Sequence, residues 1–222
     1  GMLPRFHMNK DYDIIVIGSG AGLNIAQAAR EKGMKVALFE NGPMGGTCLN
    51  RSCIPSKIWT SVADVIRQAE DSRSIGVTMK AETVDFALIR QRLTKLTHGD
   101  SKSIERSVEG DKGIDLYKKT AEFTGFKTIK AGLKTIKADK IVIANGTRTL
   151  VPSIPGLDKV GYLTSEDVFE IKTPPKSLII LGGGYKAAEF GHFFSAIGTD
   201  VTIVGRNSRF LQIGRASCRE RV

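Results

Sequence analysis

The chain has 222 residues, enough for one large domain or two small ones, and its 41% hydrophobic and 25% charged content is that of an ordinary globular protein. No apolar run approaches the roughly 18 residues of a membrane span, and no charged stretch followed by an apolar one opens the chain as a secretion signal would. The net charge of +10 does not point to nucleic acid, because lysines such as Lys118, Lys119, Lys127 and Lys130 are scattered without aromatic interleaving or a recognition motif, and a solvated basic surface accounts for them.

Gly1 precedes Met2, and Met8 stands just before the first patterned segment, so the natural start is read at Met8. Residues 13–17 are a short apolar run ended by Gly18, the profile of a buried parallel strand. Residues 23–32, with Ala26, Ala28 and Ala29, read as a helix closed by Gly33, and 35–40 as a second strand. This is a βαβ unit whose first strand-to-helix junction, Gly18-Ser19-Gly20-Ala21-Gly22-Leu23, is a phosphate turn. Leu23 stands where a third glycine normally lets helix and strand pack closely. Glu40, about 20 residues on, stands where a carboxylate binds a ribose hydroxyl. A structural turn beside a surface glutamate is the competing reading, weakened by the cysteines that follow.

The segment Gly45-Gly46-Thr47-Cys48-Leu49-Asn50-Arg51-Ser52-Cys53-Ile54-Pro55-Ser56-Lys57 carries the most specific chemistry. Cys48 and Cys53 follow a glycine pair and open what reads as a helix, and residues 53–70 look like a long helix. A helix N-terminus lowers a thiol's pKa and makes the thiolate available at neutral pH. A zinc site needs about four ligands, and neither a second cysteine pair nor a histidine cluster among His7, His98 and His192 supplies them. Three cysteines do not make a disulfide scaffold and suit a reducing, cytoplasmic compartment, which disfavours a structural disulfide. A redox pair fits best.

Residues 86–107 read as an amphipathic helix, and 114–117, 121–125, 127–129 and 134–138 as short strands of a small antiparallel insertion. Residues 140–144 read as another buried strand, ended by Asn145-Gly146, and the proline- and glycine-rich 151–156 as a linker. The opening pattern then recurs: a strand at 177–181, the phosphate turn Gly182-Gly183-Gly184-Tyr185-Lys186-Ala187, a helix over 188–197 and a strand at 200–204. Alanine is accepted at the third position of this second fingerprint. Two dinucleotide units suggest electrons passing between two cofactors. After the last strand come Gly205 and Arg206 rather than a carboxylate; an arginine suits a 2′-phosphate and favours NADPH, with Arg209 a second phosphate contact. Residues 213–222 lack hydrophobic periodicity and match a translation of a common sequencing adapter, so they are read as non-native and Cys218 is given no functional weight. The expected domains are 8–150, binding FAD, and 151–212, the first part of a domain binding NAD(P).

The Gly-Gly-Thr-Cys-x4-Cys-Ile-Pro-Ser-Lys segment and its two flanking fingerprints resemble the class I pyridine nucleotide–disulfide oxidoreductases over residues 11–211. This is the family of dihydrolipoyl dehydrogenase and the glutathione, mycothione and mercuric reductases. The resemblance implies an α/β fold of two Rossmann-like βαβ domains. It implies FAD at Gly18, Gly20, Gly22, Gly46 and Thr47, with Glu40 on the adenosine ribose and Ala121, Ala144 and Gly146 lining the cofactor. Cys48 is then the interchange thiol that meets the substrate disulfide, and Cys53 the charge-transfer thiol against the flavin. Lys57 lies near the flavin, paired with Glu189, and Gly182, Gly184, Tyr185, Ala187 and Arg206 serve NAD(P)H. On the residues alone, Lys57 and Glu189 would read as an ordinary surface pair and Tyr185 as a packing residue. Departures include Arg51-Ser52 before Cys53, Lys186 beside Tyr185, and Asn145 for threonine.

The implied substrate is a dithiol or disulfide, lipoamide-like first and a low-molecular-weight disulfide of the mycothione or glutathione type second. Family members also carry a C-terminal dimerisation domain with a His-Glu acid–base pair serving the partner subunit. On this reading the chain is an N-terminal portion, inactive alone, and His98 and His192 are solvent-facing. A non-catalytic flavin-binding module is the alternative of a different class.

Overall fold

The computed structural model describes residues 10–206 and 210–211. Met8, Arg209, Cys218 and the 213–222 segment lie outside the described residues. The first half of the chain carries β1 (Tyr12–Ile17), α1 (Ala21–Glu31), β2 (Val36–Phe39), α2 (Gly46–Arg51), α3 (Cys53–Asp71) and α4 (Phe86–Glu109). The second carries β3 (Ile114–Tyr117), β4 (Glu122–Gly125), β5 (Thr128–Ala131), β6 (Lys134–Ile143), α5 (Leu157–Val160), β7 (Ser177–Leu181), α6 (Tyr185–Ala196) and β8 (Asp200–Val204). They form two compact units that interleave along the sequence, Gly1–Arg51 with Leu96–Leu150 and Ser52–Lys95 with Val151–Val222.

The first unit is built on a six-stranded sheet in the order β3-β2-β1-β6-β5-β4. β1, β2, β3 and the second half of β6 run parallel. A parallel strand covered on both faces must be apolar on both, which is why Ile14, Ile15 and Val16 are consecutive and buried, as are all four residues of β2. One face packs Ile14, Val16, Val36 and Leu38 against Ala26 and Ala29 of α1 and Val108 of α4. The other packs Tyr12, Ile15, Ala37 and Phe39 against Ile129, Ala131, Ile136 and Ala138, so the antiparallel insertion is the lid of the second face. Each of these large aliphatic or aromatic burials contributes about 1.5–3 kcal/mol.

Two expectations are corrected here. Residues 134–138 and 140–144 are one continuous strand, not two. Its first half pairs antiparallel with β5 and its second half parallel with β1, changing partners at Ala138. Lys140, Ile141, Val142 and Ile143 are not the buried strand expected, because β5 stops short of them; Ile143 is 65% exposed. The cysteines also do not open a single helix. α2 ends at Arg51, Ser52 leaves helical geometry at φ −149° and ψ −96°, and α3 begins at Cys53. Pro55 fits the first turn of α3, where an N–H has no intrahelical partner to lose.

The second unit packs α3, the start of α4 and α6 around Trp59. Its indole stacks on Phe193 with centroids 4.4 Å apart and meets Phe194 edge-on at 5.4 Å. Phe86, Phe169 and Phe190 complete this aromatic core. β7 and β8 pair in parallel, and Leu178, Ile180 and Val201 turn toward the core while Ile179, Leu181 and Val204 are exposed. Among the described residues no helix is long and apolar enough to cross a membrane.

Candidate dinucleotide and dithiol site

The β1–α1 turn is shaped by two close approaches. Gly18 has φ +101°, and a Cβ there would fall 2.3 Å from the Ala144 carbonyl oxygen, so only glycine fits. A Cβ on Gly22 would fall 2.8 Å from Val16 Cγ1. Gly22 therefore provides the helix–strand approach expected of a third glycine, and Leu23 is free to pack against the core. The end of β6 is fixed to the same turn, since the Ala144 N–H donates to the Ile17 carbonyl at 2.8 Å. Ala121 is half-buried against the insertion face of the sheet, and Gly146 is exposed beyond β6.

A dinucleotide's pyrophosphate fits this turn. Gly20 caps α1 without a side-chain hydrogen bond, and no acidic residue stands in the first helical turn, which leaves the N–H groups and dipole open to an anion. Glu40 follows β2 as the ribose reading requires. Its half-burial opposes ionisation, but the Ser19 hydroxyl, the Gly42 and Ser19 N–H groups and the charge of Lys118 outweigh that and hold its carboxyl below the ordinary value of 4.5. The bonds are Ser19 Oγ to Oε2 at 2.7 Å, Ser19 N to Oε2 at 3.0 Å and Gly42 N to Oε1 at 2.8 Å.

A carboxyl whose pKa is depressed by folding stabilises the folded state fully above its unfolded-state value and loses that contribution as pH falls through the folded value. The stability gap between the wild type and Glu40→Gln is therefore expected to stay level from pH 7 down to about 4.5 and to shrink as pH falls further below 4.5. Urea unfolding across that range checks it; a gap constant with pH would contradict the assignment.

The cysteine segment docks on the turn. Gly46, at φ +66°, lies so near that a Cβ would fall 2.6 Å from Gly20 Cα. Asn50 Nδ2 donates to the Met44 and Gly46 carbonyls, both at 2.9 Å, and braces the segment against α2. Cys48 is the third residue of α2, and Thr47 and Cys48 are exposed. Cys53 is exposed as the first residue of α3. Among the described residues no group of three or more His, Cys, Asp or Glu could hold a metal ion.

In the second unit, Lys57 of α3 donates to Glu189 Oε1 of α6. That hydrogen bond, then the charge of Glu189, holds the Lys57 ammonium above the ordinary lysine value. Lys57 is exposed, while Glu189 is 22% exposed. One turn along, His192 is not simply solvent-facing; its Nε2 lies 2.8 Å from Asp64 Oδ1. Gly184 caps α6 without a side-chain bond, no acidic residue stands in its first turn, and Ala187 is buried. Tyr185 is 65% exposed at the helix start, Gly182 and Arg206 are exposed, and Phe210 packs beside Gly183. Lys186 donates to Ser165 Oγ at 2.8 Å.

Three residues of this geometry carry no sequence expectation: Ser19, Asn50 and Lys118, whose Nζ donates to the Gly42 carbonyl at 2.5 Å. Only Ser19, the one polar side chain inside the first glycine turn, offers a sequence signal for its place.

A mixed sheet with a parallel core, an open glycine turn, an ionised carboxylate after β2 and a thiol-bearing segment packed on that turn is the layout of a dinucleotide-binding fold with exposed cysteines. The family model for pyridine nucleotide-disulphide oxidoreductase matches residues 12–222, and the chain belongs to this family. It is 35% identical over 208 residues to a mercuric reductase of Staphylococcus aureus, covering 93% of this chain and 38% of that protein. It is 32% identical over 207 residues to a dihydrolipoyl dehydrogenase of Acholeplasma laidlawii, covering 89% and 60%. Among solved structures, the HOCl-induced flavoprotein disulfide reductase RclA of Escherichia coli matches with a TM-score of 0.78 at 32% identity, covering 90% of this chain and 43% of RclA. The chain thus spans 38% to 60% of the length of these relatives. The sheet and its glycine turn are the Rossmann-like fold of the flavin-binding disulfide reductases.

Proposed function

We propose that the protein moves electrons among NAD(P)H, FAD, the Cys48–Cys53 pair and a dithiol or disulfide substrate, most like a dihydrolipoyl dehydrogenase. The observation that carries this is the docking of the cysteine segment on the dinucleotide turn, Gly46 against Gly20, with Cys48 exposed on α2. Residues 8–150 would take FAD and 151–212 the nicotinamide nucleotide, and the protein would work as a homodimer in a cytoplasmic, reducing compartment.

FAD, when bound, supplies the two-electron relay between nicotinamide and thiols. The protein's own part is thiol exchange. The Cys48 thiolate attacks one sulfur of the substrate disulfide, forming a mixed disulfide and expelling one substrate thiolate. The Cys53 thiolate then attacks the Cys48 sulfur, expelling the second substrate thiolate and leaving the Cys48–Cys53 disulfide. Two electrons have passed to the substrate, and NAD(P)H returns them. Lys57, fixed by Glu189, keeps a positive charge near the start of α3. Glu40 accepts the adenosine ribose hydroxyls, and the open first turn of α1 takes the pyrophosphate.

A second reading, an NADPH-dependent reductase of small disulfides, rests on Arg206, exposed just beyond β8. Steady-state rates of the full-length protein with NADH and NADPH against lipoamide, glutathione disulfide and mercuric ion separate these readings. Arg206→Ala is expected to raise the KM for NADPH about tenfold and leave that for NADH unchanged, as loss of one charge-assisted phosphate contact does. Equal effects on both nucleotides would remove the NADPH reading, and no turnover with any disulfide, dithiol or mercuric ion would favour a flavin-binding module.

A further inference from the structure

We propose that Ser19 is a positioning residue that links the ribose-binding carboxylate of Glu40 to the segment carrying Cys48, so that filling the adenosine site is felt at the thiol. The proposal rests on the reading above that the first unit takes an adenine dinucleotide. Ser19 is completely buried, so water cannot replace its partners. A hydroxyl has one proton, and here it is directed to Glu40 Oε2 at 2.7 Å, while a lone pair accepts the Gly45 N–H at 3.1 Å. The Ser19 N–H adds a second bond to the same Oε2 at 3.0 Å. One side chain therefore joins the phosphate turn, the end of β2 and the approach to α2.

The joint transmits because both of its ends are stiff. Gly42 N–H holds Glu40 Oε1 at 2.8 Å, and Lys118 holds the Gly42 carbonyl at 2.5 Å, so the carboxylate cannot swing away when a ligand arrives. On the other side, Gly46 is wedged against Gly20, and Asn50 ties Met44 and Gly46 to α2. Residues 44–50 are tied together by these bonds, and Cys48 lies among them. A ribose diol donating to Glu40 draws on the charge of Oε2 and weakens its pull on the Ser19 proton. Chained hydrogen bonds polarise one another, so Oγ becomes a poorer acceptor for Gly45.

ADP tests this, because it fills the adenosine and pyrophosphate sites without a flavin ring to cover the thiols. In the protein carrying Cys53→Ser and Cys218→Ser and freed of FAD, the rate of Cys48 alkylation by iodoacetamide is measured with and without saturating ADP. The expected change is about threefold or more, the scale of one weakened hydrogen bond. With Ser19→Ala added, and ADP raised until it saturates that variant, the ratio of the two rates falls to one. A ratio unchanged by Ser19→Ala overturns the proposal and points to simple shielding by ADP. A ratio of one before that substitution, with ADP bound, overturns it too. Failure of ADP to bind at all removes the dinucleotide reading itself. Amide hydrogen exchange over residues 44–47 of the wild type needs no variant: ADP is expected to change Gly45 protection, and an unchanged amide contradicts the link.

Discussion

Cys48→Ser in the full-length protein is expected to lower kcat/KM for disulfide turnover by about a thousandfold or more, with FAD affinity unchanged within about twofold. A serine hydroxyl at neutral pH is far too weak a nucleophile to open a disulfide, and no other described cysteine precedes Cys53. Cys48 is exposed on α2, so the change removes the reacting atom without disturbing the core. Cys53→Ser makes the complementary case. It leaves the first attack intact and removes the second, so one half of a disulfide substrate should remain covalently on Cys48 and be visible as an added mass. Turnover by Cys48→Ser within tenfold of the wild type would assign the protein to flavin binding without thiol chemistry.

Gly18→Ala is expected to have the largest effect on stability among single methyl additions at the turn. The new side chain would have to accept φ +101° and a Cβ 2.3 Å from a backbone oxygen that is itself fixed by the sheet. The strained backbone costs about 1–3 kcal/mol, and overpacking against an immobile atom costs about 1–3 kcal/mol more. At roughly 2–4 °C per kcal/mol for a chain of this size, Tm falls by roughly 4–24 °C. ADP affinity falls with it, because relief of the clash moves the turn that meets the pyrophosphate. Gly33→Ala is the matched control: φ is +74° and nothing lies within 4 Å of its Cβ, so only the backbone part applies. Equal losses at the two sites would mean that the approach of Ala144 to Gly18 is not rigid.

The central strands were legible because residues buried on both faces must be apolar without alternation, and β1 and β2 announce themselves that way; β7 and β8 carry similar apolar runs although Ile179, Leu181 and Val204 are exposed. Their ends were legible because each is punctuated by glycine. The 134–143 strand was not, because lysines and Asp139 interrupt its apolar pattern where it exchanges β5 for β1. Its second half was misread for a related reason: Ile141, Val142 and Ile143 have the composition of a fully covered strand, but Ile141 and Val142 are half-buried and Ile143 is exposed, and composition does not report what covers a strand. The break at Ser52 was hidden because Arg51 and Ser52 are ordinary helix residues; the tertiary packing of Gly46 on Gly20 sets α2 apart. At the site, Glu40 follows β2 and Lys57 hydrogen-bonds Glu189, a pairing that came from the family resemblance and not from the residues alone. Asn50 was missed because its importance lies in hydrogen bonds to backbone carbonyls, which leave no spacing in the sequence, and Ser19 because its partners Glu40 and Gly45 lie more than twenty residues away.

The most direct measurement of the central claim is a count of reactive thiols in the full-length protein before and after anaerobic reduction by NADPH or NADH. Two electrons from the nucleotide open one disulfide, so two additional thiols per chain should appear and map by peptide mass to Cys48 and Cys53. An unchanged count, or new thiols mapping elsewhere, would contradict the transfer of electrons from pyridine nucleotide to this pair.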